Sequence, residues 1–434
     1  MALDRLAVLL EGQQIGNLER LTTGALRLRY DGTYSDASSA TPLSVSMPPT
    51  QEVHGDARIT PWLWGLLPDN ADVLSRWGRD FGVSIVSPFS LVGTQVGRDC
   101  AGAVQFCSPN DVDDFLARPG DISWLDEADV AARLRMLRTD STSWLGPGFT
   151  GQFSLGGAQA KTALHYAAGQ HGGNGRWGDP TGSMPTTHIL KPAIAGFEAQ
   201  NVNEHLCLAA ARTLGLPAAN TRIEKFEDES VIVVERFDRT VRSGALVRVH
   251  QEDLCQALSV TPARKYQSDG GPAPGQIAEL IRSAIPGAAA ETDVWRFADA
   301  LAFNWLIAGT DAHAKNYSLL LAGNQIRLAP LYDVASILPY DASDGHNLKL
   351  AMKVGADYKL HRTDRRAAWE HAADELKLDR VRLIDRVLDL AERTPAAFGE
   401  AVSTSDLSEL ATDLPERLVA LIAARSERCR AALS

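Results

Sequence analysis

The pattern of apolar and polar positions changes along the chain, from short apolar runs bounded by turn residues to longer stretches with helical spacing. Apolar runs at residues 6–10, 15–21 and 26–30 predict three strands, of which the first two form a hairpin across a turn near Gly12. These runs place a small sheet at the start of the chain.

Residues 61–82 carry apolar side chains at helical spacing but are interrupted by Pro68. Two helices are therefore predicted, with Asp69 and Asn70 placed to cap the second. Together with the strands before them, these helices indicate an α+β subdomain over residues 1–110.

Residues 111–150 contain turn clusters and one predicted helix at 127–137, which is typical of a connector. Residues 151–240 then read as a β-rich lobe, with a short strand that ends near Lys191 and a hairpin over 221–237. A helix predicted over 203–214 places Glu204 in its first turn. The glycine-rich passage 169–182 is expected to be an exposed loop.

The rest of the chain, 241–434, is mainly helical in pattern. Helices are predicted over 253–258, 275–284, 293–307, 365–376, 379–392 and 416–432. A β-rich part followed by a helical part predicts an α+β, two-lobed, protein-kinase-like fold. It would carry an additional N-terminal α+β subdomain, and an all-α C-terminal lobe apart from one hairpin at 317–330.

Composition narrows the class of protein. The chain has 434 residues, 45% of them hydrophobic and 22% charged, which is ordinary for a folded protein with a core. Its net charge of −11 argues against broad nucleic-acid binding by its own surface. Five scattered cysteines show no metal-binding spacing, and no apolar run is long enough for a signal peptide or a membrane span. We expect a cytoplasmic protein with reduced thiols and no membrane partner.

One short stretch suggests chemistry. Asp311 and Asn316 have the D-x-x-x-x-N spacing of the kinase catalytic loop, although the His-Arg that precedes it in kinases is absent. A predicted strand–turn–strand follows and would return Asp333 to the side of Asn316. An Asp to orient a hydroxyl nucleophile and two oxygen ligands for Mg²⁺ are what phosphoryl transfer needs. Each residue alone could instead cap a turn; the ordered set favours chemistry.

An ATP-using kinase needs further parts, and candidates occur in the order that the fold requires. The small residues after Ser154 could approach phosphates through their backbone, or could form a plain turn. Lys191 could bind phosphates or be a solvated strand end, and Glu204 could fix that lysine. Residues 234–238 could meet an adenine edge.

Several of these segments together resemble the HipA family of bacterial serine/threonine kinases. The resemblance rests on 154–164 (SLGGAQAKTAL), 234–238 (VERFD), 250–256 (HQEDLCQ), 265–272 (KYQSDGGP), 310–316 (TDAHAKN) and 331–333 (LYD), and on 65–70 (GLLPDN) and 96–104 (VGRDCAGAV) nearer the start. It covers nearly the whole chain.

The resemblance implies a Mg²⁺- and ATP-dependent kinase that is the toxin of a toxin–antitoxin pair. Asp311 would be the catalytic base, Asn316 and Asp333 would hold Mg²⁺, and Ser154 would be autophosphorylated, which silences the enzyme. The ATP pocket would comprise Gly156, Gly157, Ala158, Gln159, Ala160, Lys161, Lys191, Glu235, Arg236, Phe237, His313, Lys315 and Tyr332.

The family also implies partners. These are a HipB-like helix-turn-helix antitoxin, operator DNA reached mainly through that antitoxin, and a protein substrate such as an aminoacyl-tRNA synthetase. Two alternatives remain open: a degenerate kinase fold that serves as a co-repressor without significant activity, and a small-molecule kinase.

Overall fold

The structure, a computed structural model, describes residues 4–146, 151–169, 175–194, 196–341 and 347–434. Contacts divide the chain into two units, each made of several segments. The first comprises Met1–Pro192, Lys225–Ala263 and Leu319–Ile326, and the second comprises Ala193–Glu224, Arg264–Ser318 and Arg327–Ser434. Strands dominate the first unit and helices the second, so the predicted α+β class is confirmed.

The start of the first unit is an antiparallel sheet. Its strands are β1 (Arg5–Leu10), β2 (Gln13–Arg20), β3 (Leu26–Tyr30), β4 (Val53–His54) and β6 (Val104–Cys107), in the order β4-β3-β2-β1-β6. The three predicted strands are therefore confirmed. Side chains alternate between buried and half-buried along β3, as expected for a sheet with one face against a core.

Helices α2 (Asp56–Leu66) and α3 (Ala71–Asp80) follow this sheet's first strands, with a short α1 (Gly32–Ser35) before them and α4 (Pro88–Val92) after them. The Asn70 side chain accepts hydrogen bonds from the backbone N–H groups of Asp72 and Val73, so the predicted cap is confirmed. Pro68 lies in the extended segment that separates the two helices. The segment is held by a hydrogen bond from the Asp69 N–H to the Gly157 carbonyl at 3.0 Å.

A second sheet has six strands, which are β7 (Gly120–Leu125), β9 (Thr162–Ala167), β10 (Arg176–Gly182), β11 (His188–Pro192), β12 (Thr221–Phe226) and β13 (Glu229–Glu235). Their order in the sheet is β12-β13-β11-β9-β10-β7. The same part of the chain also contains β5 (Asp99–Cys100) and β8 (Phe153–Ser154), which pair with each other, and the helices α5 (Val112–Ala117) and α6 (Glu127–Thr139). The segment predicted to be a connector thus supplies both α6 and an edge strand.

The glycine-rich passage 169–182 differs from its prediction. Residues 176–182 form β10, which pairs with β7 and β9, and the remainder of the passage lies mostly outside the described residues. A Cβ on Gly178 would lie 2.3 Å from Ile122 Cγ2, so glycine here permits close packing of two strands. Sequence reasoning took glycine as a sign of a loop, whereas here it allows strand contact.

One hydrophobic core joins the two sheets of the first unit. The same cluster of buried side chains includes Leu6 of β1, Trp62 of α2, Phe153 of β8, Leu190 of β11 and Val233 of β13. The predicted N-terminal subdomain and the predicted β-rich lobe therefore share a core. The unit also contains β14 (Arg239–Arg242), β15 (Ala245–Arg248), β16 (His250–Asp253) and α8 (Leu254–Ala257). Strands β17 (Ser318–Ala322) and β18 (Gln325–Leu328) belong to it except for Ser318, Arg327 and Leu328, which are part of the second unit.

The second unit is a group of helices around large buried aromatic side chains, including Trp305, Trp369 and Phe398. Its elements are α7 (Gln200–Thr213), α9 (Pro274–Ala284), α10 (Ala288–Leu306), β19 (Lys349–Val354), β20 (Asp357–Lys359), α11 (Leu360–Thr363), α12 (Arg366–Leu376), α13 (Arg380–Thr404) and α14 (Leu414–Leu433). Helix α13 packs against α7, α12 and α14. The β19–β20 hairpin was not predicted.

Several helices differ from their predicted bounds, among them α10, which begins at Ala288 rather than at residue 293. Helix α13 continues through Pro395 to Thr404, since its buried face carries on with Phe398 and Ala401. Helix α7 begins at Gln200, which puts Glu204 in the second turn. Among the helices in the described ranges, none is long and apolar enough to cross a membrane.

Candidate active site

The Asp311 loop (residues 310–316) begins where the long helix α10 ends. The helix stops at Leu306, and the Gly309 N–H donates to the Asn304 carbonyl at 2.7 Å to close its last turn. A Cβ on Gly309 would lie 2.4 Å from Asn304 Oδ1, so this tight exit needs glycine. The guanidinium of Arg425, which is 3% exposed, donates two hydrogen bonds to the Trp305 carbonyl. The helix end is thereby fixed from a second helix.

Within the loop, the main chain of Asp311 is held by its neighbours. The Asn316 amide Nδ2 donates to the Asp311 carbonyl at 2.8 Å, and the His313 N–H donates to the same oxygen at 2.8 Å. Asn316 is buried whereas the Asp311 side chain is mostly exposed. The loop therefore presents a solvent-accessible carboxylate from a fixed backbone.

The carboxylate of Asp311 is contacted by two rings. The Tyr266 hydroxyl donates a hydrogen bond to Oδ1, and His313 Nε2 lies 3.9 Å from that oxygen. The two rings meet edge to face with their centroids 4.9 Å apart. His313 therefore packs edge to face against Tyr266.

The predicted hairpin after the loop is confirmed as β17 and β18, joined at Gly323 and Asn324. At its open end the Ala329 N–H donates to the Ser318 carbonyl at 2.8 Å. The Tyr332 hydroxyl donates to the Lys315 carbonyl at 2.6 Å. Tyr332 precedes Asp333 and Lys315 precedes Asn316, so the hairpin brings these two chain segments together as expected.

The oxygens of Asn316 and Asp333 suit a hard divalent cation. Because Asn316 Nδ2 is used by the Asp311 carbonyl, its Oδ1 is the atom that can accept a metal. Asp333 has a φ of +54°, a left-handed conformation that is uncommon outside glycine and clusters at functional sites. The described residues include no group of three or more His, Cys, Asp or Glu side chains suited to a metal.

Asp293 supports the hairpin from α10. Its carboxylate is fully buried and accepts hydrogen bonds from the Leu328 N–H at 2.7 Å and from the guanidinium of Arg327. Burial raises the pKa of Asp293, but the hydrogen bonds from Arg327, Leu328 and Arg296 outweigh burial and hold it below the usual value. The strand that leads to Asp333 is therefore anchored to the helix that leads to Asp311.

The Ser154 loop (residues 154–161) lies in the first unit and starts at β8. Strand β8 pairs in parallel with β5, which places Cys100 opposite Ser154. Ser154 is fully buried, and its hydroxyl donates to the Leu66 carbonyl at 2.7 Å. The serine that the resemblance marks for autophosphorylation is therefore held against the end of α2.

The glycines of the Ser154 loop are shaped by contacts from outside it. Gly157 has a φ of +97°, and its carbonyl accepts a hydrogen bond from the Asp69 N–H at 3.0 Å. Lys161, predicted to offer a cation to phosphates, is 3% exposed and donates to the Gly156 carbonyl at 2.7 Å. Gln159 Nε2 is buried without a hydrogen-bond partner in the described part of the chain. These contacts fix the shape of the loop, and the Gln159 side-chain amide keeps an N–H donor that is not used within the described residues.

The other predicted nucleotide residues have distinct environments. Lys191 lies in β11 opposite Ile232 and is 5% exposed, so the alternative of a solvated strand end is excluded. Glu204 is also buried, in the second unit. In the 235–237 segment, Glu235 is exposed and Phe237 half-buried.

Arg236 does not offer its side chain to a ligand. Its guanidinium is buried and donates to the Asp238 carboxylate, to Thr186 Oγ1 and to the Cys100 carbonyl. Asp99 lies in the same cluster; burial raises its pKa, yet three arginines, led by Arg239, hold the value well below the usual range. Any adenine contact at residue 236 would have to use the backbone.

Comparison with known proteins decides the family. The model of the HipA-like C-terminal domain matches residues 153–398, and that of the HipA N-terminal domain matches residues 6–107. The chain belongs to the HipA family. The Y4mE protein of Sinorhizobium fredii (strain NBRC 101917 / NGR234) is 34% identical over 92% of each chain.

HipA of Shewanella oneidensis is similar to this chain both in sequence and in a solved structure. The "Serine/threonine-protein kinase toxin HipA" is 29% identical, over 80% of this chain and 77% of its own. A solved complex of toxin–antitoxin system HipA, HipB and its operator DNA contains a chain that is 25% identical, covers 98% of this chain and 97% of its own, and superposes with a TM-score of 0.81. These relatives confirm the kinase class and the two-lobed fold at the level of the HipA family.

Sequence reasoning missed several supporting residues of this HipA-family site. Tyr266, Leu66 and Asp293 all contact the predicted site residues directly or hold their strands. Tyr266 and Leu66 lie in segments 265–272 and 65–70, which resemble the HipA family, and this resemblance could have indicated that they support the site. Asp293 gave no signal, since an acidic residue near a helix start is routine.

Proposed function

We propose that this protein is a Mg²⁺- and ATP-dependent serine/threonine protein kinase. The observation that carries the proposal is the fixed geometry around Asp311: its main chain is held by Asn316, its carboxylate by Tyr266, and the segment with Asp333 is joined to its loop through Tyr332. A kinase requires these acidic and amide groups in this chain order.

In the proposed reaction, Asp311 accepts the proton of a substrate serine or threonine hydroxyl. The hydroxyl oxygen forms a bond to the γ-phosphorus, the bond between that phosphorus and the β–γ bridging oxygen breaks, and ADP leaves. Mg²⁺, when bound, neutralises charge on the β- and γ-phosphate oxygens. Asn316 and Asp333 would hold that cation, and Lys315 would stabilise charge on the transferred group.

The proposed ATP contacts in the first unit follow from the environments of its residues. Gly156, Gly157, Ala158 and Ala160 would offer backbone N–H groups to the phosphates, and the spare donor of Gln159 fits the same role. Lys191 would bind the phosphates. Lys161 is more simply a residue that shapes the loop, because its ammonium donates to a loop carbonyl.

Autophosphorylation of Ser154 would silence the enzyme for a steric and electrostatic reason. The Ser154 hydroxyl is fully buried and donates to the Leu66 carbonyl. Phosphorylation would remove the proton of that hydrogen bond and would place about two negative charges in a buried site. The loop would have to leave its site for the modification to occur and could not return.

The partners of its relatives suggest the cellular role. We propose that the chain is a toxin, pairs with a HipB-like antitoxin and represses its operon with that antitoxin. A translation protein such as an aminoacyl-tRNA synthetase is the proposed substrate, which phosphoproteomic comparison of cells with wild-type and Asp311→Asn protein would identify.

The test of kinase activity uses labelled ATP and Mg²⁺ with purified wild-type and Ser154→Ala proteins. The wild type is expected to carry label on Ser154, whereas Ser154→Ala should label only other proteins. Removal of Mg²⁺ by EDTA should stop both reactions. Failure of both proteins to transfer label to any protein would refute the proposal.

A further inference from the structure

The carboxylate of Asp311 has one weak contact within its own loop, His313 Nε2 at 3.9 Å from Oδ1. The side chain is 71% exposed, and the hydrogen bonds inside the loop go to its main-chain carbonyl rather than to its carboxylate oxygens. In the described part of the chain, the side chain that donates a hydrogen bond to the carboxylate is Tyr266. An exposed Asp without such a contact would sample several rotamers.

Tyr266 is itself held in a closed loop, the Tyr266 loop (residues 264–271). The Gly271 N–H donates to the Tyr266 carbonyl at 2.9 Å, and a Cβ on Gly271 would lie 2.2 Å from the Arg264 carbonyl oxygen. Glycine is therefore required for the loop to close this tightly. The tyrosine leaves this loop from a fixed backbone position.

The Tyr266 loop is also attached to its surroundings on two sides. The Ala314 N–H of the Asp311 loop donates to the Lys265 carbonyl at 3.3 Å. The Lys353 N–H of β19 donates to Gln267 Oε1 at 2.8 Å. Tyr266 is therefore held through the Lys265 carbonyl on one side, through the Gln267 side chain on the other, and by the packing of its ring against His313.

We infer that Tyr266 is a positioning residue for the phosphoryl transfer proposed above, on which this inference rests. Its hydroxyl holds Asp311 Oδ1, which leaves Oδ2 to accept the proton of the substrate hydroxyl. The tyrosine acts through Asp311 and contacts neither phosphate nor metal in this role. Orientation of a base within hydrogen-bonding reach of its proton is worth a measurable part of the rate.

The test compares Tyr266→Phe with wild type in steady-state kinetics. Loss of a hydrogen bond to a charged group predicts a kcat lower by about 10- to 100-fold. The KM for ATP and the calorimetric ATP affinity should stay within about twofold, because the aromatic ring and its contact with His313 remain. The matched control is Tyr34→Phe, which removes a tyrosine hydroxyl that donates to the Thr41 carbonyl in the first unit and should leave kcat unchanged.

A second measurement tests whether Tyr266 acts through Asp311. In an Asp311→Asn background, adding Tyr266→Phe should lower the residual rate no further, since the group that it orients is gone.

Three results would overturn the inference. They are an unchanged or increased kcat in Tyr266→Phe, a parallel fall in kcat and ATP affinity, and fully additive effects in the double variant. These outcomes require an active wild type. An inactive wild type would refute the proposed function itself and this inference with it.

Discussion

The Asp311 loop and the Ser154 loop are stabilised in different ways. The Asp311 loop is held largely by side chains, through the Asn316 amide, the Tyr266 hydroxyl and the Tyr332 hydroxyl. The Ser154 loop is held by two of its own side chains, Ser154 and Lys161, and by the main chain of a segment distant in sequence, through the Leu66 carbonyl and the Asp69 N–H. The shape of the Ser154 loop therefore also depends on the position of the segment that follows α2.

This difference suggests separate consequences for function. Changes to the Asp311 carboxylate should affect the chemical step and leave the fold intact, because this side chain is exposed. Changes around the Ser154 loop should affect stability and nucleotide affinity together, since the loop is part of a buried core that includes Phe153 and Leu155. The three predictions below test this separation.

The largest effect is expected for Asp311→Asn. Loss of the general base should lower kcat by about 10³- to 10⁴-fold, while the free energy of unfolding should change by less than about 0.5 kcal/mol because the side chain is exposed. Kinase assays and urea unfolding measure the two quantities. Asp406→Asn, an exposed Asp between α13 and α14, is the control and should change neither. If Asp311→Asn lost activity only because it unfolded, the proposed difference between the Asp311 loop and the Ser154 loop would be wrong.

The free energy of unfolding is expected to depend on pH through Glu252. This side chain is buried and accepts hydrogen bonds from the Val45 N–H and from Trp62 Nε1 of α2, the helix that ends at Leu66. Burial raises the pKa of Glu252 to about 8. The folded protein therefore keeps a proton that the unfolded chain releases above its usual pKa.

The sign of this effect follows from linkage. Stability from a protonated Glu252 is complete below about pH 4.5 and is lost as the pH rises towards 8. Relative to Glu252→Gln, the wild type should lose about 1.4 kcal/mol of unfolding free energy per pH unit between pH 5 and 8. Urea unfolding at a series of pH values measures the difference. A constant difference between the two proteins would show that Glu252 is ionised in both states.

The smallest effect is expected for Gly157→Ala. An alanine at a φ of +97° should cost about 1 kcal/mol of stability, and its Cβ would lie 2.8 Å from Lys161 Nζ. ATP affinity, measured by calorimetry, should fall severalfold because the loop changes shape. Gly12→Ala is the matched control, with a φ of +79° and open space around it. It should lose similar stability and keep full ATP affinity; equal affinity losses in both variants would contradict a local role for Gly157.

Sequence reasoning succeeded where a feature depends on residues close in the chain. The spacing of Asp311 and Asn316, the hairpin that ends before Asp333 and the Asn70 cap all arise from local backbone geometry, and all were predictable. It failed for glycines, whose absent side chain serves loops and close packing alike, as β10 shows at Gly178.

The sequence by itself determined the fold class, the family and the set of polar residues available for chemistry, because patterning and motif order are written along the chain. Only the tertiary structure decided which other groups form hydrogen bonds with these polar residues. The Ser154 hydroxyl donates to the Leu66 carbonyl, and the Tyr266 hydroxyl donates to the Asp311 carboxylate. The Arg236 guanidinium is buried and donates to the Cys100 carbonyl. Such contacts join residues far apart in sequence, and they are selected by burial in a shared core rather than by local propensity.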